Sequence, residues 1–210
     1  MGYAARDVFE LQRGFLPESV ADRLFVDLLD SLEWRDEHLR MFGRTIRSPR
    51  RVCWYGDPGV GYVYSGSLHE ASGWHSSLLA LKGALTDHLR VPFNFVLANL
   101  YSDHNDSMGW HSDNEPELGH EPVIASVSLG AVRTLRIRPS QRIAGERRKS
   151  QPMALPNGSL LVMRKDSQSA YQHALPKCRT ACSARINLTF RRVCHPRSAA
   201  SAAKAGANHV

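Results

Sequence analysis

The sequence has few of the features that mark a membrane or secreted protein. No apolar run approaches the roughly 20 residues that span a bilayer. Residues 1–13 carry charges of both signs, with no apolar stretch typical of a secretory signal. The four cysteines include one close pair, Cys178 and Cys182, but no second pair at the spacing of a zinc site. We therefore expect a cytoplasmic protein with reduced thiols and no membrane partner.

The sequence also lacks an excess of acidic residues. Its 27 Lys and Arg residues outnumber 20 Asp and Glu residues, which gives a formal net charge of +7 and a pI near 9.5. A field of this sign concentrates polyanions, so nucleic acid is the first partner to consider and an anionic membrane surface the second. With 210 residues the chain is long enough for one domain with extensions, and we expect a monomer.

Two segments in the first half of the chain repeat apolar residues at helical intervals. Residues 17–34 place aliphatic side chains every four residues from Val20 to Leu32, and residues 74–89 repeat the pattern with leucines. This spacing predicts two amphipathic helices that serve as scaffold. Residues 41–67 are rich in Gly, Pro, Arg and Tyr, which predicts hairpins and loops.

From residue 93 the apolar period changes from helical to two, which predicts a series of short strands. The predicted strands cover residues 93–101, 124–129, 134–138, 159–163 and 185–193, with a turn at Asn157-Gly158. Helices followed by strands at even intervals predict an α+β fold built on a sandwich or barrel. The expected parts are residues 1–92 with the helices, residues 93–195 as the strand-rich core and residues 196–210 as a disordered tail.

The segment that carries chemistry is Trp110-His111-Ser112-Asp113. A His-x-Asp sequence puts an imidazole and a carboxylate two residues apart, so both can turn toward one point. With His173 they would form a two-His, one-carboxylate face on a metal. Such a face leaves coordination positions open, as an Fe(II) oxygenase needs in order to hold a co-substrate and O₂ together. One His-x-Asp alone is a weak signal.

A second chemical signal is the strict alternation of residues 185–191. Ile186, Leu188 and Phe190 form an apolar face, while Arg185, Asn187, Thr189 and Arg191 form a polar one. The arginines lie on the same side of a strand, roughly 20 Å apart. Arginine binds carboxylates through two parallel charge-assisted hydrogen bonds, which suits a dicarboxylate such as 2-oxoglutarate. The alternative is an ordinary strand with one solvated face.

Together these residues resemble the AlkB family of Fe(II)/2-oxoglutarate-dependent dioxygenases, which repair alkylated nucleic acid bases. The matching motifs, in the family's order and spacing, are Asn99-Leu100-Tyr101, His111-Ser112-Asp113, His173 and the alternating segment from Arg185 to Arg191. The resemblance covers residues 40–192. It implies a double-stranded β-helix (jelly-roll) core in residues 93–195, with N-terminal helices and a nucleotide-recognition lid packed on it.

The resemblance also implies roles for individual residues. The iron ligands would be His111, Asp113 and His173. The contacts to 2-oxoglutarate, which reacts together with O₂, would be Asn99, Tyr101, Arg185, Asn187 and Arg191. Glu115 resembles the carboxylate that accepts a hydrogen bond from the exocyclic amine of the damaged base. The alternative for Glu115 is a solvated acidic cluster with Glu117 and Glu121.

Two segments in the first half of the chain would help to extrude the damaged base from its helix. Tyr62 and Tyr64 would stack on a base flipped out of its helix, the alternative being half-buried strand packing. The segment Met41-Phe42-Gly43, followed by Pro49-Arg50, resembles the subset of the family that acts on double-stranded DNA. Phe42 would be the wedge that fills the gap left by the flipped base, and Arg50 a second substrate contact. A Phe packed in the core is the alternative.

Basic residues in two loops would hold phosphates, one loop in residues 133–149 and the other at Lys177 and Arg179. The expected reaction is oxidative demethylation of bases of the 1-methyladenine and 3-methylcytosine type in DNA. It would be coupled to decarboxylation of 2-oxoglutarate to succinate, with release of formaldehyde. The alternatives are a related hydroxylase acting on RNA, protein or a small molecule, a non-catalytic nucleic-acid-binding relative, and a metal-dependent hydrolase.

Overall fold

The computed structural model describes residues 5–41, 44–64, 67–141 and 148–194. Its helices are α1 (Ala5–Val8), α2 (Glu18–Ser31), α3 (Ser76–Leu89) and α4 (Ser167–Ala170), with a 3-10 turn at Pro116–Leu118. The strands are β1 (Phe9–Gln12), β2 (Arg35–Met41), β3 (Arg44–Gly56), β4 (Gly61–Tyr64), β5 (Ser67–Glu70), β6 (Phe95–Tyr101), β7 (Met108–His111), β8 (Ile124–Gly130), β9 (Arg133–Pro139), β10 (Gln151–Leu155), β11 (Ser159–Met163), β12 (Tyr171–Leu175) and β13 (Arg185–Arg191). None of the helices within the described ranges is long and apolar enough to cross a bilayer.

The strands form two main antiparallel sheets and one hairpin. The larger sheet has the order β1-β11-β8-β13-β6-β3-β2, the smaller one β10-β9-β12-β7, and β4 pairs with β5. From β6 onward, successive stretches of chain are divided between the two sheets, and apolar side chains from both sheets share one cluster that includes Leu97, Leu161, Leu135 and Leu175. The predicted α+β fold with a jelly-roll core is confirmed.

Helices α2 and α3 cover the outer face of the larger sheet. Leu28 of α2 and Leu85 of α3 are fully buried in one cluster with Ile186, Leu188 and Phe190 of β13. The predicted apolar face of β13 therefore lies under the helices, and its polar face points the other way, between the sheets.

Both predicted helices are present, but one residue of the buried stripe predicted for α2 is exposed. Val20 is 37% exposed, whereas Ala21 is fully buried. A helix repeats every 3.6 residues, so a strict four-residue spacing drifts around the helix, and the buried stripe of α2 starts one residue later.

Residues 41–67 contain more regular structure than their composition predicts. The 13-residue strand β3 runs through Pro49 and pairs with both β2 and β6. Between the pairs Asp36–Arg51 and His38–Arg47, one residue of β2 faces three residues of β3, 48–50. Such a bulge tolerates a proline because the ladder is already interrupted there. Strands β1 and β3 also join the larger sheet directly, so residues before 93 contribute to the same sheet as the core strands.

The turn predicted at Asn157-Gly158 is present and joins the core to α2. Gly158 has a φ of +70°, and its carbonyl accepts a hydrogen bond from the Leu16 amide, at 2.9 Å, just before α2 begins. A Cβ atom at Gly158 would lie 2.5 Å from the Leu16 carbonyl oxygen. Gly14 has a similar φ of +65°, but a Cβ atom added there would have no other atom within 4 Å.

We predict that Gly158→Ala lowers the free energy of unfolding by about 3 kcal/mol, because left-handed strain and a backbone overlap add up. Gly14→Ala should cost about 1 kcal/mol, since it carries the strain alone. Denaturant unfolding of both variants measures the difference. Equal losses would show that the contact with Leu16 does not constrain the turn.

Candidate metal and co-substrate site

The predicted metal ligands meet between the two sheets. His111 ends β7, Asp113 follows two residues later, and His173 lies on β12 directly across from His111 in the strand register. One ligand atom from each residue lies within 4.8 Å of the other two. His111 Nε2 and Asp113 Oδ1 are 3.8 Å apart, and the two imidazole rings have centroids 4.2 Å apart. Three donors at this spacing can converge on one ion.

Hydrogen bonds orient His111 and Asp113 so that one metal-binding atom of each side chain remains available. His111 Nδ1 lies 2.9 Å from the Gly109 carbonyl oxygen, a contact that assigns the proton to Nδ1 and leaves the Nε2 lone pair available. Asp113 Oδ2 accepts a hydrogen bond of 2.7 Å from Arg191 Nη2, which leaves Oδ1 available. The Asp113 amide donates to Gln168 Oε1 at 2.8 Å, so the backbone of this loop is fixed as well.

The protonation states suit a metal. Burial lowers the pKa of His111, and burial together with the neighbouring His111 lowers the pKa of His173 to about 3. Burial raises the pKa of Asp113, but the charge and hydrogen bond of Arg191, together with the two neighbouring histidines, outweigh it and hold that pKa at about 2. Two neutral imidazoles and one ionised carboxylate are the forms that bind a divalent ion at neutral pH.

A purely structural role fits this cluster less well. His173 is 6% exposed, and its Nδ1 has no hydrogen-bond partner among the described residues. Buried polar atoms are nearly always paired, so a ring left this way is poorly explained as a satisfied core histidine. Two imidazole nitrogens and one carboxylate oxygen with an open side are the donor set of Fe(II) oxygenases, and the residues present fit Fe(II).

A cavity opens beside the three ligands. It lies between the sheets and has an empty volume of about 540 Å³, including its mouth. Its lining includes apolar side chains, among them Leu97, Leu135 and Leu161. It also includes all five residues predicted to contact 2-oxoglutarate, which together are called the polar wall: Asn99, Tyr101, Arg185, Asn187 and Arg191. The solvated-face alternative for β13 is wrong, because Arg185 and Arg191 are each only 2% exposed.

The two arginines of β13 have different surroundings. Arg191 is paired with Asp113 at 2.7 Å. Arg185 donates to Ser128 Oγ at 2.9 Å and lies 5.4 Å from the Tyr101 ring centre. Arg185 has no carboxylate partner within the described residues, and its Nε there has no hydrogen-bond acceptor. Burial lowers the pKa of Arg185 to about 10, which still leaves it charged at neutral pH.

The two asparagines of the polar wall are hydrogen-bonded to neighbouring strands. Asn187 Nδ2 donates to Ser126 Oγ at 2.7 Å, and Asn187 Oδ1 accepts from Thr189 Oγ1 at 3.0 Å. Asn99 is 6% exposed, and its Oδ1 accepts a 2.8 Å hydrogen bond from Arg50 Nε. The wall is thus a set of oriented polar groups rather than a row of flexible side chains.

Of the five residues predicted for substrate binding, the structure describes the side chains of Glu115 and Arg50. Glu115 lies half-buried before the 3-10 turn, and Glu117 is 3% exposed, so the solvated acidic cluster offered as the alternative is wrong. Arg50 is 3% exposed and lies in the interior. Tyr62 and Tyr64 belong to β4, but their side chains lie outside the described part of the structure, and Phe42 lies outside the described residues altogether.

One basic residue predicted for phosphate binding is in fact structural. Arg133 is 1% exposed and donates to the backbone carbonyls of Asp103, Asp106 and Pro176 at 2.7–3.1 Å. Its guanidinium fixes two loops near the cavity. Strand alternation could have shown this, because Arg133 shares the inward face of β9 with Leu135 and Ile137.

Comparison with known proteins agrees with this geometry. Residues 9–191 match the model of the 2OG-Fe(II) oxygenase superfamily. The DNA oxidative demethylase ALKBH2 of Homo sapiens is 34% identical over 184 residues, which cover 82% of this chain and 69% of that protein. The chain belongs to the AlkB family. The alpha-ketoglutarate-dependent dioxygenase alkB homolog 3 of Bos taurus is 37% identical over 185 residues, 86% of this chain. The chain spans 64% of the length of that relative.

A solved structure supports the fold independently. The structure of OsALKBH1 superposes with a TM-score of 0.63, covering 90% of this chain and 100% of that one. Its sequence is 16% identical, so the likeness shows the fold alone. Fe(II) as the metal, with 2-oxoglutarate and O₂ as co-substrates, is what membership of this family implies, and the His111–Asp113–His173 site fits it.

We predict that His173→Ala or Asp113→Ala weakens Fe(II) binding at least a hundredfold, since even changes behind the ligands commonly cost ten- to a hundredfold. Anaerobic Fe(II) titration followed by metal analysis of the desalted protein measures this. His88→Ala is the matched control, because His88 is exposed and bonded to Gln12 on the surface. Undiminished Fe(II) content in His173→Ala would rule out this ligand set.

Proposed function

We propose that the chain is an Fe(II)/2-oxoglutarate-dependent dioxygenase that removes alkyl groups from N-alkylated bases in DNA. The observation that carries the proposal is the His111–Asp113–His173 cluster, which shares a cavity with Arg185, a cation with no carboxylate partner among the described residues. A hydrolytic metal site needs the first feature but has no use for the second. The similarity to the DNA oxidative demethylase ALKBH2 of Homo sapiens supports the reaction type.

The reaction balances as follows. One oxygen atom of O₂ enters the N-methyl C–H bond and the other enters the 2-oxoglutarate carbon skeleton, which leaves as succinate and CO₂. The N–C bond then breaks: the hydroxymethyl carbon leaves as formaldehyde, the electron pair of the bond stays on nitrogen, and the hydroxyl proton is released. When bound, Fe(II) supplies the chemistry that activates O₂ for this C–H oxidation. The chain's own residues orient the reactants and exclude water.

In this proposal the polar wall binds 2-oxoglutarate. Arg185 and Arg191 lie on the same face of β13, six residues apart. Arg191 is at the end that pairs with Asp113, so Arg185 at the other end is suited to bind the carboxylate of 2-oxoglutarate that is distal to the metal. Its planar guanidinium binds a carboxylate through two charge-assisted hydrogen bonds. Tyr101 packs against Arg185 and limits its movement. Apolar side chains of the lining, such as Leu135 and Leu161, keep bulk water from the cavity.

Nucleic acid is the proposed partner, and the surface behind the metal site supports it. Arg138 lies 4.0 Å above the ring of Trp110, which is 37% exposed, and shares the Gln172 Oε1 acceptor with Arg148. Among the described residues no carboxylate pairs with these arginines. An exposed aromatic ring beside a cation suits phosphates and unstacked bases. The four free cysteines support an intracellular location, where such a substrate resides.

A base within a helix cannot reach the cavity, so we propose that it is flipped out. Glu115 would accept a hydrogen bond from the exocyclic amine, while Tyr62 and Tyr64 would stack on the ring. The half-burial of Glu115 beside the metal loop supports its part. The resemblance of residues 41–43 to relatives acting on duplexes is the support for Phe42 as the wedge. The flanking strands β2 and β3 pair as far as Met41 and Arg44.

The direct test is repair of an oligonucleotide that contains 1-methyladenine. Protein incubated anaerobically with Fe(II) and 2-oxoglutarate, and then exposed to air, should reduce the oligonucleotide mass by one CH₂ group and release one succinate per methyl group. Omission of 2-oxoglutarate is the control. Succinate formed without any change in DNA, and stimulated instead by methylated RNA, would redirect the proposal to RNA.

Arg185→Met should raise the 2-oxoglutarate concentration needed for half-maximal activity about thirtyfold or more, because a charge-assisted contact contributes on the order of 2 kcal/mol. DNA affinity should stay unchanged. Arg192→Met is the matched control, since Arg192 is exposed and lies just beyond β13. If the 2-oxoglutarate requirement of Arg185→Met equals that of the control, another residue anchors the co-substrate.

Phe42→Ala should impair repair of 1-methyladenine in a duplex by about tenfold or more, and leave repair of the same lesion in a single strand nearly intact. The reason is that the unstacking cost of a few kcal/mol arises only in the duplex. A core Phe would instead lower the melting temperature and damage both activities. Rates on both substrates and a thermal melt separate these outcomes, and equal losses on both substrates would refute the wedge.

A further inference from the structure

A buried chain of polar side chains lies beside the metal site and is not part of it. It begins at His69 on β5, 4% exposed, whose Nε2 lies 3.9 Å from Glu37 Oε1 on β2. Glu37 Oε2 pairs with Arg50 Nη2 at 3.3 Å. Arg50 Nε donates to Asn99 Oδ1 at 2.8 Å, and Asn99 lines the co-substrate cavity.

Arg50 lies on the inward face of β3. Ser48, Arg50 and Val52 alternate along this face and are 2–4% exposed, while Pro49 between the first two is exposed. Burying a guanidinium is costly unless its N–H groups find acceptors. Each of its three nitrogens has one: Nε bonds Asn99, Nη1 bonds Ser48 Oγ at 2.9 Å, and Nη2 bonds Glu37.

The chemistry of these groups determines the orientation of the Asn99 amide. A guanidinium only donates hydrogen bonds, so the Asn99 oxygen must face Arg50. The NH₂ group is then directed away from Arg50. Asn99 Nδ2 has no hydrogen-bond partner among the described residues, and the side chain borders the cavity. Held this way, Asn99 offers a donor to an anion and cannot turn its oxygen toward it.

We propose that Arg50 is a positioning residue that locks the Asn99 amide in its donor orientation for the anionic co-substrate. The inference rests on the proposed function, since it takes 2-oxoglutarate as the occupant of the cavity. It reassigns Arg50 from a direct contact with nucleic acid to an interior role. The Glu37–His69 contact also links this lock to the β4–β5 hairpin, where His69 stands across from Tyr62 in the strand register.

The test measures 2-oxoglutarate binding to the Mn(II)-loaded protein by calorimetry, which needs no turnover. Asn99→Asp keeps the shape and gives Arg50 a charged partner, so the melting temperature should hold. It turns an anionic oxygen toward the cavity, and 2-oxoglutarate affinity should fall about thirtyfold or more. Glu37→Gln, which leaves the Arg50–Asn99 bond in place, should bind 2-oxoglutarate within about twofold of wild type.

The double variant Glu37→Gln/Arg50→Met removes the lock without leaving a buried carboxylate unpaired. It should bind 2-oxoglutarate about tenfold more weakly than Glu37→Gln, with unchanged Mn(II) affinity, because Asn99 can then rotate. Equal 2-oxoglutarate affinity in these two variants would overturn the proposal, and so would parallel losses of Mn(II) and 2-oxoglutarate, which indicate a merely structural role. Wild-type protein that binds Mn(II) but no 2-oxoglutarate would instead refute the proposed function.

Discussion

The buried pair of Asp113 and Arg191 is the interaction on which the site depends. It joins the loop after β7, in the smaller sheet, to the end of β13 in the larger one, with both side chains 3% exposed. It keeps Asp113 ionised and turns its second oxygen toward the histidines. A buried pair of this kind seldom adds net stability, because desolvation offsets the attraction. Its value here is positional: it places one ligand at the junction of two sheets.

The charge balance of the cavity follows from that pair. The charged residues among those that line the cavity are two arginines and one carboxylate, because both histidines are held neutral. A divalent metal alone would add to the positive charge, and a dianion alone would meet the carboxylate of Asp113. Fe(II) is a dication and 2-oxoglutarate a dianion, so the binding of both leaves the net charge of the cavity unchanged. The site is therefore suited to hold both at once, and Asn99, fixed by Arg50, adds a neutral donor to the same wall.

Sequence reasoning succeeded where the spacing of the functional residues matches the two-residue repeat of an extended backbone. The His111-x-Asp113 spacing and the alternation of Arg185 to Arg191 each place polar groups on one side of an extended chain, and both lie on the cavity. The sequence did not reveal the interior position of Arg50, since an arginine in a Gly- and Pro-rich stretch is expected at the surface. Its burial depends on acceptors from distant strands, Glu37 and Asn99. Alternation along β9 does indicate that Arg133 faces inward, but its loop carbonyl acceptors come from distant residues. Strands β7 and β12 were missed because their inward positions carry polar ligands where a strand pattern expects apolar residues.

If the histidine–carboxylate cluster and the polar wall form one site for a metal and a dianion, linkage requires that each ligand strengthen the binding of the other by the same factor. The affinity of the wild-type protein for 2-oxoglutarate, measured with and without saturating Mn(II), tests this. Binding of 2-oxoglutarate should be at least about tenfold tighter with the metal, and Mn(II) binding reciprocally tighter with 2-oxoglutarate. Equal affinities in the two conditions would show instead that the metal ligands and the polar wall act as separate sites.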